Sequence, residues 1–322
     1  MKVAVIGAGI AGLTAARMLT SAGADVTVFD KSKGTGGRLS SRSFAAGWID
    51  HGAPYLTVAD EKFAGFLYEN IADSAISNWA PLSSGVVRSD EESDFIGVPR
   101  NSALTRSLLD GAVFQPSTRI ARIEATEEGW HLFNDGESLL GTWPHLIIAV
   151  PAPQALSLLR EQLLLAEQIR RVKMEPCWVA AIQSAHDLQD QPDIAVYEHP
   201  VVRRIVHNSA KSERGNKNVY QVQASKSWSE THLEETTESV GEKLLQSFCE
   251  LTSAAAGTEL LFVHRWRYAF TETALEQACL WDNHLQLGVC GDWCLGRTIE
   301  DAWRSGSALA AQILKHQKEK AS

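Results

Sequence analysis

Residues 1–38 constrain this chain more than any other stretch. Lys2 to Ile6 is short, apolar and β-branched with no turn residue, which reads as a buried parallel strand. It runs into Gly7-Ala-Gly9-Ile-Ala11-Gly12, a G-x-G-x-x-G turn that opens an apolar helical run. In such a turn Gly7 permits the tight bend, Gly9 lets backbone approach a pyrophosphate, and Gly12 lets the helix pack close to the strand. The helix start then directs free N–H groups and a positive dipole end at the diphosphate. Asp30 ends a second strand, 23 positions after Gly7, where a carboxylate accepts hydrogen bonds from an adenosine ribose. The same carboxylate would repel a 2′-phosphate, so bound NADP is not expected. Strand, turn, helix, strand and acid in that order predict a dinucleotide site. Ala11 and Lys31 are further candidate contacts.

The chain has 322 residues, enough for two domains with large cores, and 44% hydrophobic with 21% charged residues is ordinary for a globular protein. A net charge of −9 argues against a nucleic-acid partner but leaves an anionic small molecule open, because a cleft can oppose the global sign. The N-terminal apolar stretch is five residues long, and no apolar run approaches the length of a membrane span. Neither a signal peptide nor a membrane partner is expected. Five scattered cysteines fit a reducing compartment, so a cytoplasmic location is expected. Cys290 and Cys294 lack companions at ligand spacing, and no metal site is expected.

Along the chain, Asp50-His51-Gly52-Ala53-Pro54-Tyr55 reads as a tight backbone segment. A helix capped by Asp60 follows, then a charged turn from Asp90 to Asp94. Asn101 or Ser102 is expected to cap the next helix, with Arg100 as a candidate anion contact. Thr118 to Glu124 is a strand, Gly129 to Leu139 a hairpin turning at Asn134-Asp-Gly136, and His145 to Val150 a buried strand. Residues 153–276 contain no second glycine fingerprint, so a nicotinamide nucleotide would be a substrate here rather than a second resident cofactor. That segment predicts a helix from Pro153 to Arg171, several strands, and a long acidic helix from Thr231 to about Ala255 capped by Ser229 or Thr231. In His264-Arg-Trp-Arg-Tyr-Ala-Phe270, strand alternation puts Arg265 and Arg267 on one face and Trp266, Tyr268 and Phe270 on the other. Trp266, Tyr268 and Arg267 are the candidate substrate contacts. Leu285 to Cys290 is a buried strand delivering Asp292 to a ligand-facing strand end, and a helix from about Ile299 to Lys315 follows.

Gly36-Gly37-Arg38-Leu-Ser-Ser41 resembles the G-G-R-x-x-S/T loop of a flavoprotein class that includes the amine oxidases and protoporphyrinogen oxidases. That resemblance implies noncovalent FAD, with Gly37 and Arg38 at the diphosphate. Asp50-His51-Gly52-Ala53 is similar to a stretch that lies against the flavin ring in that class, which implies that backbone at Ala53, Pro54 and Tyr55 faces the isoalloxazine. It further implies adenine contact through the Ile120 backbone, a ribityl contact at Asp292, and a helix start at Ile299 aimed at the flavin N1/O2 edge. With Gly97-Val-Pro-Arg-Asn-Ser-Ala and Trp266-Arg267-Tyr268 added, the whole chain resembles the renalase family in a short bacterial-type form. The implied fold is α/β: a Rossmann-type FAD-binding domain with an inserted α+β substrate domain, in the topology shared by p-hydroxybenzoate hydroxylase and the amine oxidases. The implied division is 1–56, 97–152 and 277–322 for the FAD domain, and 57–96 and 153–276 for the substrate domain. The implied activity is oxidation of 2- or 6-dihydro-NAD(P) by hydride transfer to flavin N5, with O2 converted to H2O2, in a monomer or weak dimer. A flavin-containing amine oxidase or a related desaturating oxidoreductase is the alternative.

Overall fold

A computed structural model describes residues 1–321, leaving aside 46, 88, 90, 160–162, 189, 190, 216, 217, 255 and 256. The chain begins with β1 (Lys2–Ile6), α1 (Ile10–Ser21) and β2 (Asp25–Phe29). It passes through α2 (Glu61–Asn70) and returns as β3 (Val113–Gln115) and β4 (His145–Ile148). A second sheet follows, with β5 (Lys173–Ser184), β6 (Ile194–Val196), β7 (Val202–His207) and β8 (Asn218–Ala224). Helix α3 (Thr237–Thr252) and the long β9 (Glu259–Thr273) complete it. The chain rejoins the first sheet as β10 (Leu280–Asp282) and β11 (Leu287–Val289) and ends in α4 (Ile299–Ala321).

The first sheet has the order β10-β11-β4-β1-β2-β3 and is parallel except for the β10 edge. A parallel sheet is covered on both faces, which is why β1 and β4 are almost uninterrupted apolar runs. Val3 and Val5 face α1 and α4, joining Leu13, Leu19, Leu309 and Ile313. Ala4 and Ile6 face the other way, joining Trp130, Leu146 and Ile148. The two helices approach closely because of Gly306, where a Cβ would lie 2.2 Å from the Ala11 carbonyl oxygen.

The second sheet, β9-β5-β8-β7-β6 with Ser83–Ser84 at its edge, is antiparallel among its numbered strands. Period-2 alternation divides its faces. Trp178, Ala180, Ile182, Tyr220 and Val222 pack under α3 against Val240, Leu244 and Phe248. The intervening Cys177, Val179 and Gln223 turn to the opposite face and border a cavity shared with the first sheet.

Several expectations need correction. The long acidic helix expected from Thr231 starts only at Thr237, as α3 capped by Thr236, and a separate helix, Lys226–Thr231 capped by Ser225, ends where it was expected to begin. The expected cap Ser229 is buried and its hydroxyl instead accepts the Trp178 N–H at 3.2 Å. The Pro153–Arg171 helix is replaced by helices Ala152–Leu158 and Leu163–Ile169; residues 160–162 between them, like Asp90 of the charged turn and Ala255, lie outside the described residues. Asn101 stands at the start of helix Ser102–Ser107 without capping it through its side chain. Helix α2, expected in the substrate domain, packs Phe63 and Leu67 into the core of the first sheet, with Phe63 stacked on Trp303 of α4. The cap Asp60 and the Asn134 turn are as expected, with Asp60 Oδ1 accepting the Lys62 N–H and Asn134 Oδ1 those of Gly136 and Ser138. Among the described residues, no helix is long and apolar enough to cross a membrane.

Candidate functional site

A cavity of about 1550 Å³ runs from the Gly7–Gly12 turn to the inner face of the second sheet. Sites for one drug-sized ligand occupy roughly 300–1,000 Å³, so this half-open space exceeds what one such ligand needs. Its border includes Gly7, Gly9, Ala11, Asp30, Lys31, Gly37, Arg38, Ala53, Pro54, Tyr55, Ile120, Asp292 and Ile299. Gly12 stays outside it.

The three glycines separate cleanly by what surrounds them. At Gly7, with φ +111°, a Cβ would lie 2.4 Å from the Ala149 oxygen; at Gly12 it would lie 2.2 Å from the Gly7 oxygen. Both are glycine because protein backbone fills the space. At Gly9 nothing lies within 4 Å, so a side chain there would meet only the cavity. Gly9 is also the N-cap of α1 and offers no side-chain cap, which leaves the first N–H groups of the helix to a ligand. Asp30 braces the turn, its Oδ2 accepting the Ala8 N–H and its Oδ1 the Ser32 N–H, both at 2.8 Å. An open cradle, uncapped helix N–H groups and a carboxylate one strand away fit the diphosphate and ribose of a dinucleotide.

Arg38 and Asp292, 254 positions apart, form a bidentate ion pair in which Arg38 Nη1 donates to Asp292 Oδ2 at 2.8 Å and Nη2 donates to Oδ1. Arg38 Nη1 also donates to the Ala269 carbonyl at 3.2 Å. The Gly-Gly-Arg loop is pressed onto the segment after Asp50: a Cβ on Gly52 would lie 1.9 Å from the Arg38 oxygen, and the Ala53 N–H donates to that oxygen at 2.7 Å.

Residues 50–54 are held by a buried polar network. Asp50 Oδ2 accepts from Lys211 Nζ at 2.7 Å and from Arg214 Nε at 2.9 Å, and all three side chains are fully buried. Lys211 Nζ also donates to the Pro54 oxygen. Asn101 Nδ2 donates to the oxygens of Ala53 and Pro54, both at 2.9 Å, while its Oδ1 accepts the Gly97 N–H. That occupation is why Asn101 does not cap its helix. Burial alone would raise the Asp50 carboxyl; the Lys211 and Arg214 charges, with hydrogen bonds from Lys211 and Ser41, outweigh it and hold the pKa at about 2.

On the second sheet, Trp266 Nε1 donates to the His51 oxygen at 2.8 Å, and the indole stacks on the His51 ring at 5.6 Å between centroids. His264 lies 4.9 Å from His51. Tyr268 borders the same space. Arg267 borders the cavity as well, and its guanidinium is bound by Glu234 at 2.6 and 2.7 Å. Arg100 borders the cavity with its guanidinium 3.8 Å from the Trp48 ring centre. Sequence reasoning missed Arg204, Gln223, His51 and His264 as cavity residues, and missed the Lys211–Arg214 clamp.

Burial, then the neighbouring His264, lowers His51 to about 4; burial, then Arg42 and Lys31, lowers His264 to about 4. His51 Nδ1 is buried with no hydrogen-bond partner among the described residues, which also disfavours a second ring proton. Unfolded, both rings titrate near 6.5. Between pH 6.5 and 4 the unfolded chain holds protons that the folded chain does not, so stability falls as pH drops through that window. The slope is about 1.4 kcal/mol per pH unit for each fully contributing histidine. Urea titrations across this range should show that slope flattened in His51→Gln/His264→Gln; an unchanged slope would assign the acid sensitivity elsewhere. Asp50 acts in a separate window, its stabilisation being lost only as pH falls from 3.8 through about 2.

A family model described as an NAD(P)-binding Rossmann-like domain matches residues 5–69. The 4,4'-diapophytoene desaturase (4,4'-diaponeurosporene-forming) of Staphylococcus aureus is 52% identical over 40 residues, 12% of this chain and 8% of that protein. The match therefore spans a small fraction of the relative's length. A putative protoporphyrinogen oxidase from Exiguobacterium sp. 255-15 superimposes with a TM-score of 0.75 at 10% identity, covering 98% of this chain and 99% of the other. Putrescine oxidase bound to putrescine gives 0.71 at 13% identity with coverage of 98% and 99%. An oxidoreductase from Methanosarcina mazei gives 0.70 at 14% identity, covering 98% and 100%. These likenesses establish the fold: α/β, with a Rossmann-type dinucleotide-binding domain.

Proposed function

We propose that this chain is an FAD-dependent oxidoreductase, and that it oxidises isomeric dihydronicotinamide nucleotides, 2- or 6-dihydro-NAD(P), to NAD(P)+. The observation that carries this reading is the wall opposite the dinucleotide turn. It presents the flat rings of Trp266 and Tyr268 with two histidines held neutral, and no carboxylate of the second sheet borders it among the described residues. A cationic amine would find no counter-charge there, whereas a planar dihydropyridine finds a stacking surface.

In the cofactor site, the Gly9 cradle and α1 would hold the diphosphate, Asp30 the adenosine ribose, and Asp292 the ribityl chain, while Arg38, paired with Asp292, would orient that carboxylate and bring positive charge to the phosphates only on exchanging this pairing for them. Bound FAD supplies a hydride acceptor whose electrons then pass to O2. The work of the chain itself is positional. The clamp on residues 50–54 fixes the backbone at Ala53 to Tyr55 that would face the ring, and Trp266 is fixed by its bond to His51. Positioning of this kind brings the donor carbon into a near-attack approach. Loss of hydride restores pyridinium aromaticity, so no general base is needed, in keeping with histidines that stay unprotonated above pH 4. The overall balance is one dihydronicotinamide, one O2 and one proton giving one NAD(P)+ and one H2O2.

Aerobic turnover should therefore yield NAD(P)+ and H2O2 in equal amounts from the 2- or 6-dihydro isomers, with no ammonia from amines. Ammonia and aldehyde from amines, with the isomers inert, would transfer the assignment to the amine oxidases. The structural likeness to putrescine oxidase keeps that second reading specific, since Trp266, Tyr268, His51 and His264 form a ring-lined space that a neutral amine could enter.

A further inference from the structure

Arg204 lies on β7 and borders the cavity on the face of the second sheet opposite α3. Its Nε and Nη2 donate to Gln223 Oε1 at 3.1 and 2.8 Å, and its Nη1 donates to the Tyr55 hydroxyl at 3.2 Å. Gln223 is itself held, its Nε2 donating to Gln221 Oε1 at 3.0 Å, and Gln221 Nε2 donates to the Asp50 and Gly52 oxygens. The guanidinium is thus fixed through two glutamines to the same backbone that the Asp50 clamp secures. None of its partners carries a negative charge.

Arg204 is half-buried, with its guanidinium on the cavity rather than inside the core, and it lacks the carboxylate partner such a charge ordinarily has. Burial pulls its pKa below the ordinary guanidinium value. A buried charge is ordinarily paired, because an uncompensated one is costly. The fully buried cations Lys211 and Arg214 obey the rule, both meeting Asp50. A guanidinium has five N–H donors. Three are used, leaving one N–H on each terminal nitrogen for a charged acceptor such as a carboxylate or phosphate.

We propose that Arg204, positioned by Gln223 and Tyr55, is an anion subsite that receives a carboxylate or phosphate group of the substrate. The proposal deepens the oxidoreductase reading above and rests on it for the identity of the second ligand. Tyr55 is the residue expected beside the cofactor ring, so the anion would be held within one side chain of the reacting centre. On a dihydronicotinamide nucleotide that group is the 5′-phosphate; on a ring acid it is the carboxylate.

The flavin-loaded protein should be titrated with nicotinamide mononucleotide, nicotinamide riboside, nicotinate and nicotinamide, reading the flavin absorbance shift. If phosphate is the anion, the mononucleotide binds roughly ten- to a hundredfold more tightly than the riboside. If carboxylate is, nicotinate exceeds nicotinamide by a similar factor. Either preference should vanish in Arg204→Gln while the riboside and nicotinamide bind as before. Arg204→Lys, which keeps the charge but loses the guanidinium, should reduce the preference to an intermediate value and carries the test if Arg204→Gln does not retain flavin. Equal binding within both pairs by the native protein, mononucleotide against riboside and nicotinate against nicotinamide, or equal losses for all four in a variant, overturns the subsite. The titration needs no turnover. Anion binding without oxidation of the dihydro isomers would retain the subsite and sink the proposed reaction; turnover with kcat/KM unchanged in Arg204→Gln would do the reverse.

Discussion

Asp50→Asn should lower the unfolding free energy by about 3–5 kcal/mol, the cost of breaking a buried pair by removing one partner. The substitution keeps the shape of the side chain and removes its charge. Lys211 and Arg214 would then be two fully buried cations with no anion between them. Arg214 would keep its bonds to the Gly97 oxygen and Asn101, and Lys211 its bond to the Pro54 oxygen, so the fold would survive in weakened form. Urea denaturation at neutral pH measures the loss directly. Lys211→Met in the same background should recover part of it, because residues sharing one network are not additive. A loss below about 1 kcal/mol would mean that water or backbone compensates the cations and that the clamp is not electrostatic.

Gly9→Val should abolish tight cofactor retention, raising the dissociation constant at least about a hundredfold, or about 2.7 kcal/mol, while leaving the cofactor-free protein folded. A Cβ at Gly9 meets no protein atom within 4 Å, so the added side chain occupies the space offered to the diphosphate. A Cβ at Gly12 runs into the Gly7 oxygen, so Gly12→Val should impair folding itself. Comparing thermal melts of the two cofactor-free variants, alongside flavin fluorescence titrations, separates these effects. Normal flavin affinity in Gly9→Val would place the diphosphate somewhere other than the α1 N-terminus.

The nucleotide-binding half was legible because its chemistry is local. Gly7, Gly9, Gly12 and Asp30 lie within one strand–turn–helix–strand unit, and each must be its residue type for a steric or charge reason visible at that spacing. Even Asp292 could be placed, since a carboxylate at the end of a buried strand is a recognisable signal. Its pairing with Arg38 across 254 positions was not. The residues of the second sheet were harder. Arg204 looks like any strand arginine until β8 brings Gln223 beside it and Tyr55 arrives from 149 positions away. Lys211 and Arg214 sit near the short turn Asn208–Ala210 and read as surface charges; only the fold buries them on Asp50. On β9 Trp266 and Arg267 both border the cavity, and Arg267 is held by Glu234, which lies between helix Lys226–Thr231 and α3 where the sequence suggested continuous helix. Asn101 followed the same pattern, a strong capping residue diverted by backbone oxygens at Ala53 and Pro54.

The proposed reaction requires that the ring-lined wall of the cavity present a dihydronicotinamide to bound FAD. Anaerobic rapid mixing tests it most directly, following the flavin absorbance near its long-wavelength band as the purified holoprotein meets 2- or 6-dihydro-NAD(P), or amines such as putrescine. Bleaching within seconds by a dihydro isomer, with amines inert, is the predicted result. Bleaching by amines alone would contradict it.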